Sequence, residues 1–460
     1  MQLNTRLGTS NQVSYSWISI AIFGCISGLL YIAGAGSLLR YFFVAGAFSL
    51  GIFLYSKDLI IYTGFTWWIW FLSPLVRRLA DYQAGWQEPN IILLTPFIVT
   101  LITFLSFAYH LPKNIFRGGF PFVIASFSIM YGLGIGFVQY PAAALVVPLL
   151  NWFTPIMFGF HYFINWRRYP EFRKNIFKVF IWSLLIMGAY GIWQYLVAPE
   201  WDRYWLINTE LVTFGTPEPR GIRVWSTLNS PQPFGVVMIA GLLLLLTAKQ
   251  SWLKISAAGV GYISLLLSLA RSTYLGWFVG LIVLLASTRS SNQMRIIATI
   301  VVLILIIIPV VNIDIFNDVI SSRFESLFNP SEDVSYNERA DRYARMLDEA
   351  LRSSLGRGLG GVSGVIDSGI LEILLTLGWV GTVPYIFGMG TPILELFFGK
   401  INRLDTFPSV CLAISMGVFV QMSLGPVMLG VAGVILWSFL GLGLASNKYH
   451  QLQNLHKQEG

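Results

Sequence analysis

Long apolar runs separated by short polar breaks dominate the chain. A membrane-crossing helix needs roughly 20 mostly apolar residues. That length picks out candidate spans at 15–37, 38–55, 58–76, 91–109, 119–139, 142–164, 175–197, 232–248, 252–270, 271–288, 294–313, 368–388, 407–424 and 427–445. The first three are crowded together, and 391–399 reads as a half-span or interfacial piece, so the range is 12–14 spans. The fold class predicted is all-α, a polytopic transmembrane helix bundle with a large external loop containing a short amphipathic helix. The chain divides into amino-terminal transmembrane helices (1–197), an external loop (198–231), further transmembrane helices (232–313), a large external loop (314–367), and carboxy-terminal helices with a cytoplasmic tail (368–460).

Composition agrees. Charged residues make up 11% and hydrophobic residues 55%, against about 25% charged in a soluble domain. Too little polar surface remains to cover a globule, so apolar side chains must face lipid. The 16 Trp and 20 Tyr suit rings at headgroup level. Trp17 to Leu39 is too long for a signal-peptide core and reads as the first span. Cys25 and Cys411 lie in apolar runs and give neither a disulfide framework nor a metal spacing. The net charge of +8 reports cationic cytoplasmic loops, not nucleic-acid binding.

Lysine sets the orientation. With the N-terminus cytoplasmic, Lys57, Lys113, Lys174, Lys178, Lys249, Lys254, Lys400, Lys448 and Lys457 all fall inside. Both termini are then cytoplasmic, in a multi-pass protein of the inner (plasma) membrane. Arg77 and Arg78 are the exception and fall outside. The two long external segments carry Arg but no Lys: Arg203, Arg220 and Arg223 in one, and Arg323, Arg339, Arg342, Arg345, Arg352 and Arg357 in the other. Bidentate phosphate recognition and simple retention of Lys inside both account for this.

In the second loop, Ser335 and Glu338 fit a capping box. Ala340, Tyr343, Ala344, Leu347 and Leu351 follow at helical spacing, up to Gly356 and Gly358. The expectation is a short helix lying apolar side down on the outer membrane surface. Gly24/Gly28 and the Gly132/Gly134/Gly136 run read as helix packing.

Arg271 is the sharpest candidate for chemistry. It interrupts the apolar runs 255–270 and 274–286 with no ordinary loop between them. A charge at that depth is a functional hypothesis, set against an Arg in a tight external turn that snorkels to headgroups. Arg220 and Arg223 precede Trp225-Ser-Thr-Leu-Asn-Ser-Pro-Gln-Pro-Phe234, whose prolines and cap formers suit an ordered re-entry into the next span. Asp367 stands directly before a span, where Asp is an excellent N-cap; the same placement suits a general base. Glu372 lies one turn further in, to pair with an Arg or face a polar cavity. Gly356-Arg-Gly-Leu-Gly-Gly361 matches G-x-G-x-x-G only literally, because no strand precedes it and no helix opens at it. D-x-D, H-E-x-x-H, C-x-x-C and Walker A spacings are absent, and His161 reads as a packed residue.

Four segments are similar, in order, to motifs of the O-antigen ligase and polymerase superfamily. Arg223 to Phe234 looks like its "R…GTF.NPN.F" segment. Leu267-Ser-Leu-Ala-Arg-Ser-Thr-Tyr-Leu-Gly276 resembles "LSRGAWLG", with Arg271 at the Arg. Asn337 to Gly361 resembles the "R…G.G" part of its periplasmic loop, and Asp367 to Gly381 its "HN..LE.L.E.G..G" segment. The likeness covers about 215–390. It implies a metal-independent glycosyltransferase with no cofactor, using a polyprenyl-diphosphate-linked oligosaccharide as donor within the lipid bilayer. The flippase and chain-length regulator of the same pathway would be its partners. Carried over residue by residue, Arg223, Arg271 and Arg339 bind the diphosphate, with Arg220 and Arg342 in the same loops, and Asp367 is the catalytic base. Ligases carry His at the Asp367 position, whereas Asp resembles exopolysaccharide and capsule polymerases. A repeat-unit polymerase is therefore the first expectation, with a ligase and a glycan or small-anion transporter as alternatives. Lack of half-to-half similarity counts against a transporter.

Overall fold

A computed structural model describes residues 4–248, 252–311, 343, 345–362, 366, 368–399 and 405–458. The helices are α1 (Asn4–Ile32), α2 (Gly36–Lys57), α3 (Leu59–Ala84), α4 (Thr95–Leu101), α5 (Phe104–Asn114), α6 (Phe120–Gln139), α7 (Ala142–Ile164) and α8 (Tyr169–Val197). They continue with α9 (Glu200–Thr209), α10 (Pro231–Thr247), α11 (Trp252–Leu267), α12 (Arg271–Ser287), α13 (Ser290–Val311), α14 (Gly369–Phe398), α15 (Phe407–Phe419) and α16 (Gly430–Gln458). The described residues contain no strand. The protein is an all-α, multi-pass membrane bundle. Among the described residues, eight helices are long and apolar enough to cross a bilayer, and the pair 91–101 and 104–117, bent by 40°, is a broken span or a re-entrant loop. Helices α10, α11, α12 and the 407–423 segment are shorter apolar rods. The predicted piece at 391–399 is simply the end of α14.

Lipid as solvent explains why these segments are helices: with no water to bond the backbone, each must satisfy its own N–H and C=O groups. Burial within the bundle is uneven. Over 15–32, helix α1 leaves most of its side chains exposed, whereas α16 is fully enclosed over 431–446. Trp67, Phe158, Phe180 and Trp437 anchor the central core. Small residues allow the closest approaches: a Cβ on Gly159 would meet the Trp437 carbonyl at 2.3 Å.

The bundle has two chemically different ends. The connections 33–35, 85–90, 198–230 and 268–270 share one end with residues 353–362, called here the loop end. Lys57, Lys113, Lys174, Lys178, Lys254 and Lys448 all lie toward the other, the lysine end. At that end Asp405 accepts hydrogen bonds from the Tyr169 hydroxyl (2.6 Å) and the Phe407 amide (3.0 Å), and faces Arg173 (3.2 Å) and His450 (3.0 Å). Burial pushes its carboxyl up, but hydrogen bonds from His450, Tyr169 and Phe407 and the Arg173 charge outweigh that and leave it at about 2, below the usual 3.8. The folded value lies below the unfolded one. Its stabilisation is therefore present above about pH 4 and lost as pH falls towards 2. In detergent, the melting temperature is expected to drop across that window, and the drop should be shallower in Asp405→Asn. A wild-type melting temperature that stays level from pH 5 to pH 2 would contradict this.

Helix α14 is broken at Gly378, where φ is 59° and ψ is −174°, a conformation essentially confined to glycine. The break frees carbonyls, and the loop at 354–359 meets them. The amides of Arg357 and Gly358 donate to Leu375 O (2.7 Å) and Thr376 O (2.9 Å), and Val380 N donates to Ser354 O (3.1 Å). Leu359 N reaches across to Gly132 O of α6 (2.9 Å). The literal G-x-G-x-x-G is thus a backbone wedge between α6 and the broken α14. A Cβ on Gly358 would stand 2.4 Å from Gly136 N, and one on Gly356 2.4 Å from Gly378 N. Gly132 therefore admits this loop as well as Leu377 of α14, and Gly136 admits the loop beside Leu145 of α7. Gly378→Ala is expected to cost about 1–3 kcal/mol, read as a lower melting temperature and faster protease nicking near residue 355. Unchanged melting and nicking would show that the wedge carries no strain-sensitive contact.

The amphipathic helix is present where described, with 345–352 helical, and one side of it meets protein. Ala350 is fully buried among Ile366, Leu371, Leu374 and Leu375, with Met346 and Leu347 beside it, while Tyr343 and Leu351 stay exposed. One side of this helix, at Met346 and Ala350, thus packs on the first turns of α14, while Tyr343 and Leu351 of the predicted apolar stripe remain on the surface. The capping box at 335–338 lies outside the described residues.

Candidate functional site

The loop end is organised by a buried cation. Arg78, on the last turns of α3, has no solvent exposure. Its Nε lies 2.7 Å from Asp202 Oδ1 of α9. Its Nη2 donates to Ser226 O (2.5 Å) and its Nη1 to Leu228 O. Asp202 Oδ2 in turn accepts from Tyr190 and Gln194, both at 2.8 Å. Gln194 Oε1 receives the amides of Trp225 (3.1 Å) and Ser226 (2.8 Å). Ser226 sits at φ 53°, a left-handed conformation that a non-glycine residue keeps only when its surroundings hold it. Beside this network, Arg77 joins Asp81 (3.1 Å) and Glu88 (2.6 Å), and Arg40 joins Asp81 (2.7 Å). Arg77 and Arg78, the exceptions to the lysine pattern, thus serve the loop end itself. Sequence reasoning did not assign them a role; their place on the wrong side of the charge rule was the available signal.

This network holds the segment 222–230, and so positions Arg223. The loop before it turns back on itself through a bridge between Gly215 and Ile222. Arg223 N donates to Phe214 O (2.9 Å). The Arg223 guanidinium spans two elements, with Nη1 on Thr213 O and Nη2 on Leu269 O, both 2.9 Å. Leu269 belongs to the α11–α12 turn, so Arg223 is tied within two residues of Arg271. Arg220 lies on the hairpin tip, exposed, at φ 66°. Arg271 is the first residue of α12 and is exposed. Its depth in the bundle is therefore corrected: residues 268–270 form a tight turn, and Arg271 stands at its edge and not inside an apolar span.

Three helix starts converge beside this turn. Gln232, in the first turn of α10, lies against Gly425; Gln421 lies against Gly276 of α12; and Gly369, opening α14, lies against Met422 and Gly425 O. Gln232 Nε2, Gln421 Oε1, Thr227 Oγ1 and Asn229 Oδ1 are buried with no protein partner among the described residues. Buried polar atoms are normally satisfied, so this cluster has capacity for a hydroxylated or anionic ligand. The N-cap of α14 is Ser368, whose hydroxyl accepts from Leu371 N (3.4 Å), which corrects the expectation of an Asp367 cap. Glu372 follows one turn later, half-buried. Asp367, Arg339 and Arg342 lie outside the described residues. A mainly apolar cavity of about 500 Å³ borders the segment, walled by Trp70, Pro74, Phe97, Leu228 and Pro233, with Glu88, Asn90, Asn151 and Asn229 among its polar lining. No group of three or more His, Cys, Asp or Glu suited to a metal occurs among the described residues.

Neither a protein-family model nor a curated protein matches the chain. The functional reading therefore rests on the residues themselves.

Proposed function

We propose that this protein is a polysaccharide polymerase, transferring polyprenyl-diphosphate-linked repeat units onto a growing glycan at the outer face of the inner membrane. The observation that supports it most is the bracing of Arg223 onto the α11–α12 turn (2.9 Å to Leu269 O), two residues from Arg271 and near the buried Gln232 Nε2 and Gln421 Oε1, which have no protein partner among the described residues. Guanidinium groups fixed at the rim of a membrane bundle suit a lipid diphosphate, whose oxygens they can engage in pairs.

In the reaction, an acceptor sugar hydroxyl attacks the anomeric carbon of the donor. A new carbon–oxygen bond forms, the bond to the diphosphate oxygen breaks, and the electron pair leaves with the prenyl diphosphate. Arg271 and Arg223 would stabilise the charge that grows there. The acceptor proton goes to a carboxylate: Asp367 in this proposal, with Glu372 one turn away. The apolar cavity beyond Leu228 would take isoprenoid units nearest the diphosphate.

The test is turnover by purified protein in nanodiscs, given a polyprenyl-diphosphate oligosaccharide of the native repeat, with EDTA and without nucleotide. A ladder of lengthened lipid-linked glycans is expected, lost in Arg271→Ala and Asp367→Asn. Transfer to a different lipid or protein acceptor would make the chain a ligase. No transfer from the correct repeat unit would overturn the enzyme reading, and flux assays in liposomes would then test transport.

A further inference from the structure

The lysine end holds a second cavity, of about 730 Å³, between the ends of α5, α7 and α16. Lys113, Arg117, Arg167, Lys448 and His110 line it, with Asn114 and Asn165, and no acidic side chain lies among its described lining residues. Two other cations at this end are paired with acids: Arg168 with Glu171 (2.6 Å) and Arg173 with Asp405 (3.2 Å). Inside the cavity, aromatic rings hold the cations instead. Lys113 Nζ stands 3.4 Å from the centre of the Tyr109 ring. Arg167 stacks 4.5 Å over Trp166, and Lys448 Nζ lies 4.9 Å from Phe163 and 5.6 Å from Trp166. Lys448 also donates to Arg117 O (3.4 Å), with Arg117 and Arg167 as its charged neighbours. Rings position a cation without cancelling its charge, so four like charges remain gathered around one space.

The surface beside the cavity is apolar. Phe116, next to Arg117, is 98% exposed, and Leu105 and Tyr109 on α5 are exposed as well. Such residues border the cavity at the level where lipid tails meet headgroups.

We propose that this cavity binds the phosphate headgroup of an anionic glycerophospholipid, whose acyl chains lie along Phe116 and the outer face of α5. Basic pockets between helix ends suit such headgroups. The adjoining exposed aromatic favours a lipid over free phosphate, which would gain nothing from Phe116. The proposal is independent of the glycan chemistry at the opposite end.

The experiment is native mass spectrometry of full-length protein stripped of lipid, then titrated separately with phosphatidylglycerol, phosphatidylcholine and inorganic phosphate. Wild type is expected to retain phosphatidylglycerol under activation that removes phosphatidylcholine, with millimolar phosphate failing to displace it. Arg117→Gln/Arg167→Gln should weaken retention at least tenfold, whereas the charge-matched Lys174→Gln/Lys178→Gln, at the same end but outside the cavity, should keep it. Melting curves of both doubles confirm that they are folded, and the single Lys448→Gln serves if the first is not. Equal retention of the two lipids, equal loss in both doubles, or displacement by phosphate would each overturn the proposal.

Discussion

Arg78→Ala is expected to destabilise the protein by about 3–5 kcal/mol, the usual result of removing one partner from a buried ion pair. Asp202 would be left with a buried charge and only Tyr190 and Gln194 to meet it. Ser226 and Leu228 would lose donors to their carbonyls. Asp202→Ala should cost a comparable amount, since it strands the guanidinium. The double variant Arg78→Met/Asp202→Leu removes both charges and should fall between the singles and wild type. It should not recover fully, because the two carbonyls remain unmet. Thermal unfolding in detergent reads this series. Additive single and double effects would show that the two side chains do not act as a pair.

The second large effect concerns Arg223. Its fork spans Thr213 O and Leu269 O, a geometry that one ammonium on a flexible stem cannot copy. Arg223→Lys is therefore expected to lose transfer activity nearly as completely as Arg223→Ala, by about 100- to 1000-fold, the scale of removing a preorganised charge-stabilising donor. Melting should change little, because the deeper Arg78 network still holds the segment. Arg271→Lys should retain more, because Arg271 is exposed at a helix start and its charge matters more than a spanning geometry. The comparison is made on initial rates of lipid-linked glycan extension. A Lys variant at 223 as active as wild type would remove the bracing role.

The helices were legible because lipid leaves the backbone few alternatives, and lysine counting sorted the described ends correctly. What hydropathy cannot distinguish is an apolar face that meets lipid from one that meets protein. The packing of Ala350 and Met346 on α14, off the stripe of Tyr343, Leu347 and Leu351, was therefore not visible in the apolar pattern. Arg78 and Asp202 are 124 positions apart in a chain without local pairing signals, and only the misplaced charge of the Arg77/Arg78 pair hinted at them. The use of the Gly356–Gly361 run as a wedge depends on Gly378, where the surrounding pattern reads as unbroken helix. Arg223 and Arg271 read as separate candidates until the carbonyl of Leu269 joined them.

The wedge at Gly378 also bears on how such a protein could change its specificity. Arg357, Gly358 and Leu359 dock through main-chain amides, which every residue except proline possesses. The docking amides are indifferent to side-chain identity, but two side chains add to them: Arg357 pairs with Glu349 (2.6 Å) and Leu359 is fully buried in the core. The outer piece of α14 is thus clamped in place by chemistry common to almost all sequences. On the proposed glycan-transfer reading, changes of sugar specificity are then expected at positions outside this docking segment.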